Sequence, residues 1–104
     1  MSHVIDVVNK VNESLSIYRA VFICKDEENV IDVMKMLYDN DYACATDLDE
    51  PEHCRILVQT FETFIKDDDV DLTDITVIYT NDMENLTAIT YVAKLNNVGT
   101  LVIV

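Results

Sequence analysis

Three carboxylates, Asp26, Asp47 and Asp82, each fall just past a short apolar segment of this 104-residue chain. Carboxylates brought to the tips of neighbouring strands supply the oxygen ligands that Mg²⁺ takes. These three are therefore the candidate metal ligands, and Mg²⁺ is the one cofactor to consider. The plainer assignment is that acidic residues ahead of helices cap them and keep the surface hydrated. A second grouping concerns binding rather than coordination. Asp26, Glu27 and Glu28 form one cluster, Asp47, Asp49 and Glu50 a second, and Asp67, Asp68, Asp69 and Asp71 a third. Together they are the candidate interaction residues.

The other reactive side chains do not assemble a catalytic set. Cys24, Cys44 and Cys54 show no C-x-x-C spacing, which removes the usual zinc pattern, and they read as small core residues. His53 and Cys54 are adjacent, so on a helix they point in different directions and make a poor base and nucleophile. Gly99 is the single glycine, which rules out phosphate-cradling loops of the G-x-G-x-x-G or G-x-x-x-x-G-K type. No catalytic residue is assigned, and the chain is expected not to be an enzyme. Asn12-Glu13-Ser14 and Asn85-Leu86-Thr87 match the glycosylation sequon, but both fall inside predicted helices and read as chance matches.

Charge narrows the partners. Asp plus Glu total 20 against 7 Lys plus Arg, a net charge of -13. Direct binding to nucleic acid or to an acidic membrane face would work against that field. A basic protein face would be attracted to it. No apolar run approaches the roughly 20 residues of a membrane span, and the N-terminus lacks a signal-peptide pattern. Three cysteines cannot all pair, so a reducing, intracellular compartment is expected, cytoplasm or nucleus.

The elements that position these residues follow from periodicity. Val4, Val8, Val11 and Leu15 mark one helical stripe. Arg19 to Cys24 (RAVFIC) reads as a strand buried on both faces. Asp26 caps a helix carrying Val30, Ile31, Met34, Leu37 and Tyr38, and Tyr42 to Ala45 is a short second strand. Pro51 opens a third helix, on which Cys54, Leu57, Val58, Phe61, Phe64 and Ile65 form an apolar stripe to about Lys66. Ile75 to Tyr79 is the third strand. Asn81 and Glu84 then form a capping-box pattern ahead of a helix with Leu86, Ile89, Val92 and Ala93. Thr100 to Val104 is the fourth strand. A helix in every connection makes the strands parallel. The expectation is one α/β domain over residues 1–104, a small three-layer sandwich with a four-stranded parallel sheet of order 2-1-3-4 and four helices. The crevice for a site would then lie beside the first and third strands, at their carboxyl ends. Thr100 to Val104 carries no charge or proline. At an edge it would invite pairing with a second copy unless the first helix covers it, hence a candidate homodimer.

From Ala20 to about Tyr79 the chain resembles the second RecA-like domain of superfamily 2 helicases. Val21-Phe22-Ile23-Cys24 stands where that family has its VIFC-type strand, followed by the helix to Tyr38 and the strand Tyr42-Ala43-Cys44-Ala45. Arg55 with Phe61 and Phe64 corresponds to an Arg-bearing helix, and Val77-Ile78-Tyr79-Thr80 to a strand ending in Thr. The family continues with an Arg-Gly-Asp-like segment and a later arginine motif that reaches the nucleotide. Here Thr80-Asn81-Asp82-Met83-Glu84-Asn85-Leu86 follows instead. The resemblance thus implies a scaffold without ATPase activity. The functional expectation is a non-enzymatic acidic module acting on a basic protein partner. The alternative is a small Mg²⁺-binding or receiver-like signalling domain.

Overall fold

A computed structural model describes residues 2–14, 19–45, 56–66 and 75–104. The elements are α1 (Ser2–Ser14), β1 (Arg19–Cys24), α2 (Glu27–Asp39), β2 (Cys44–Ala45), β3 (Ile56–Thr60), α3 (Phe61–Lys66), β4 (Ile75–Thr80), α4 (Leu86–Leu95) and β5 (Thr100–Ile103). The strands form one sheet in the order β2-β3-β1-β4-β5, and every pair is parallel. The four strands expected from the sequence keep their expected mutual order, 2-1-3-4, and there are four helices among the described residues. The fold is α/β, as read.

The sheet gains a fifth strand, β3, inserted between β2 and β1. The expected third helix is therefore corrected over its middle: Ile56–Thr60 is extended, and only Phe61–Lys66 is helical. The physical reason is burial on both faces. Ile56 and Val58 pack on one side of the sheet and Leu57 on the other, all 5% exposed or less. A helix at the surface would bury one stripe only. Ile65, placed on the buried stripe by the helical reading, is exposed. β3 also separates Cys44 from β1, so Cys24 and Cys44 are not on neighbouring strands.

Two apolar layers hold the sheet. On one face Val8 of α1 and Val30, Val33, Met36 and Leu37 of α2 cover Ala20, Phe22, Val58, Val77 and Tyr79. On the other, Phe64 of α3 and Ile89 and Ala93 of α4 cover Val21, Ile23, Leu57 and Ile78. β1 and β4 are therefore covered on both sides, which is why their sequences are continuous apolar runs. Phe22 and Tyr79 stack with ring centroids 5.8 Å apart, a contact worth about 0.5–1.5 kcal/mol beyond its area. Burial pushes the Tyr79 hydroxyl up to about 12, with Tyr42 adding to the shift.

With so little glycine, the helices stop on other residues. Asp41 (φ 65°) and Asn97 (φ 56°) take the left-handed conformation just past α2 and α4. Behind each, the chain closes on the helix in the same way: Tyr42 N donates to Leu37 O and Val98 N to Ala93 O, both at 2.9 Å. Each closure also brings the apolar residue past the turn onto its layer, Tyr42 beside Leu37 and Val98 beside Ala93.

Candidate functional site

β1 and β4 are neighbours, and their following helices lie on opposite faces of the sheet. The gap between their carboxyl ends is where open parallel sheets hold ligands. The buried polar side chains among the described residues, Gln59, Thr80 and Asp82, all sit at this end. Gln59 and Thr80 flank Ile23 in register, one on each neighbouring strand.

Thr80 has no exposed surface; its hydroxyl donates to Ile23 O (3.0 Å) and accepts from Asp82 N (3.0 Å). The next residue spans the gap. Asn81 Oδ1 accepts from Lys25 N (3.0 Å), and its Nδ2 donates to Asn29 Oδ1 (2.7 Å). Asp26 holds the other side of this network: with extended backbone (φ -159°, ψ 172°) it caps α2, its Oδ1 accepting from Asn29 N at 2.7 Å. Asp26, Glu27 and Glu28 are all exposed. Burial, and after it the charges of Asp26 and Glu27, push the Cys24 thiol up to about 12. Cys24 is thus a protonated core residue, as its place in the apolar run implied.

Asp82, which follows, is buried and bonds to Asn85. Its Oδ1 accepts from Asn85 N (3.2 Å) and its Oδ2 from Asn85 Nδ2 (2.7 Å). The expected Asn81–Glu84 capping box is replaced by this Asp82–Asn85 turn, and α4 begins only at Leu86. Of the three candidate metal ligands, then, Asp26 caps a helix, Asp82 is buried and bonded to Asn85, and Asp47 lies outside the described residues. Among the described residues no group of three or more His, Cys, Asp or Glu is placed to hold a metal ion. Of the candidate interaction residues, Asp26, Glu27 and Glu28 stand together at the head of α2. Asp47, Asp49, Glu50, Asp67, Asp68, Asp69 and Asp71 lie outside the described residues, as do His53, Cys54 and Arg55.

The roles of Thr80, Asn81, Asn29 and Asn85 were missed in the sequence. The available signal was a hydroxyl and an amide directly ending an apolar strand, where core residues give way to hydrogen-bonding groups. No helix among the described residues is long and apolar enough to cross a membrane. Comparison of the chain with protein-family models, curated proteins and solved structures finds no match.

Proposed function

We propose that this protein is a non-enzymatic acidic interaction module that binds a basic face of a protein partner. The observation that carries the reading is the corner formed by Asp26, Glu27 and Glu28. All three side chains are exposed, and the ion pair found among the described residues, Lys66 with Glu62 at 2.7 Å, is elsewhere. Capping α2 uses one carboxylate oxygen, from Asp26. The charges of Glu27 and Glu28 remain directed at solvent, within a chain of net charge -13, and such a field steers a positive partner inwards.

The gap beside this corner supports a binding role over a catalytic one. Asn81, Asn29 and the Lys25 amide satisfy one another across it. We read the domain as a helicase-like scaffold without ATPase activity: Thr80 to Leu86, where the resembled family has its Arg-Gly-Asp-like segment, is a short turn closed on itself through Asp82 and Asn85. The Mg²⁺-binding, receiver-like alternative has less support, since Asp82 spends both oxygens on Asn85.

Affinity purification tests the reading. Basic proteins should be retained at about 0.15 M salt and released at about 0.5 M, where the screening length is only a few ångströms. Glu27→Gln with Glu28→Gln should weaken retention without changing the fold. Micromolar binding of DNA or RNA by the chain, or selective backbone shifts at Asp26 and Asp82 on adding Mg²⁺, would overturn it.

A further inference from the structure

β5 ends the sheet on one side, and the phase of its hydrogen bonds is fixed. Val104 N donates to Thr80 O at 3.0 Å, and Tyr79 lies level with Val102. The backbone groups of Val102 and Val104 on the β4 side are thereby used, so the N–H and C=O of Leu101 and Ile103 point outwards. Among the described residues no strand pairs with that edge. Thr100–Ile103 has no charge, proline or bulge to protect it. Val8 sets α1 on the face of the sheet, with Val102 and Val104 against the same layer. Ile103 remains 53% exposed.

We propose that a second copy of this chain occupies this edge, with the two β5 strands antiparallel about Val102. The occupant is argued from the edge's own symmetry. A two-fold axis perpendicular to the sheet keeps each face on its own side, so opposed residues must point to the same face. Centred on Val102, Leu101 meets the second copy's Ile103, and Thr100 meets its Val104. Leu101 and Ile103 are also the residues whose backbone groups point outwards. Each such pair exchanges two N–H···O bonds, while Val102 faces its own copy across a non-bonded position. Leu101 packs on the α3/α4 side, and alternation places Ile103 there too. The pairing therefore sets four aliphatic side chains together on one face, as two cross-strand pairs, and covers Ile103. No side chain of the strand is charged while the chain carries -13, so the contact buries no side-chain carboxylate and side-chain repulsion between the two copies acts at longer range.

That repulsion gives a signature distinct from the acidic corner. Salt screens it, so self-association strengthens with salt while capture of a basic partner weakens. Light scattering on the full chain over about 1–100 µM, at about 0.05 and 0.5 M salt, reads the mass. A mass twice 11.9 kDa, reached at lower concentration in high salt, is expected. Ile103→Pro removes one outward N–H per copy, leaves the bonds to β4, and should raise the dimer dissociation constant about tenfold or more. Val102→Cys tests the register independently. Opposed residues at a non-bonded position have Cα atoms about 4.5 Å apart, within disulfide reach, so mild oxidation should cross-link the copies. Ile103→Cys and the parent chain, with Cys24, Cys44 and Cys54, should not cross-link. A monomeric mass at about 100 µM in high salt overturns the proposal. So does a dimer dissociation constant left unchanged in folded Ile103→Pro, or a dimer that cross-links through Ile103→Cys and not Val102→Cys.

Discussion

Replacing Thr80 separates hydrogen bonding from packing at the carboxyl end of the sheet. The side chain is fully buried, and its hydroxyl joins β1 to the turn after β4 by donating to Ile23 O and accepting from Asp82 N. Thr80→Val keeps the shape and deletes both bonds. Ile23 O retains a longer bond from Asn81 N at 3.4 Å, so its loss is partly covered. Asp82 N loses its acceptor in a residue that is 5% exposed. An unsatisfied buried donor costs about 1–3 kcal/mol and a lost hydrogen bond about 1 kcal/mol. Valine's better strand propensity returns a few tenths of a kcal/mol. The net expectation is a loss of about 2–3 kcal/mol, or about 10–20 °C in Tm for a domain of this size. Thr80→Ser keeps the hydroxyl and removes one methyl, for about 1 kcal/mol. Urea melts of the two variants decide the matter. If Thr80→Val proves as stable as Thr80→Ser, the hydroxyl does not hold this end of the sheet together and the argument fails.

Three further outcomes follow from the same structure. Asn81→Ala should cost about 1–2 kcal/mol and speed amide exchange at Lys25, leaving the Asn85 amide, held by Asp82, as slow as before. Asp41→Gly should stabilise the protein by about 1 kcal/mol, because the left-handed backbone there penalises a side chain; a lower urea midpoint would contradict the helix-end assignment. Burial raises Cys24 from 9.0 to about 12 and Tyr79 from 10.0 to about 12. Both groups therefore keep their protons in the folded state after the unfolded chain has lost them. Stability should be full below pH 9 and fall as pH rises towards 12, by about 1.4 kcal/mol per unit for each ionised group. Cys24→Ala should flatten the curve between pH 9 and 10, and an unchanged slope would contradict the shift.

The strands that were legible are Arg19–Cys24 and Ile75–Thr80, whose two-sided burial leaves nearly continuous apolar text, and Thr100–Ile103, a half-buried edge strand with an uncharged apolar run. β3 was not, because Leu57, Val58, Phe61, Phe64 and Ile65 also satisfy a helical spacing of three and four. Periodicity cannot separate a short buried strand leading into a helix from one continuous helix. The separating signs were local. Ile56-Leu57-Val58 is apolar without a break, and Thr60 accepts from Thr63 N at 3.3 Å, opening α3 where the longer helix would have been mid-span. The site was legible by position but not by role. Asn81 three residues before Glu84 fits a cap read along the chain, yet its partners Lys25 and Asn29 lie more than fifty positions away. Only the β1–β4 pairing brings them within reach, and nothing local encodes that pairing.

The Asn81 grip has a further bearing on how the acidic corner would meet the basic partner we propose. It fastens the start of α2 to the far strand before any encounter, so Glu27 and Glu28 are displayed from an anchored platform. A partner of the proposed kind would then cost this chain little conformational entropy on docking. Selectivity at such a platform would arise from how well an incoming surface matches a preset charge spacing, and less from mutual adjustment of the two chains.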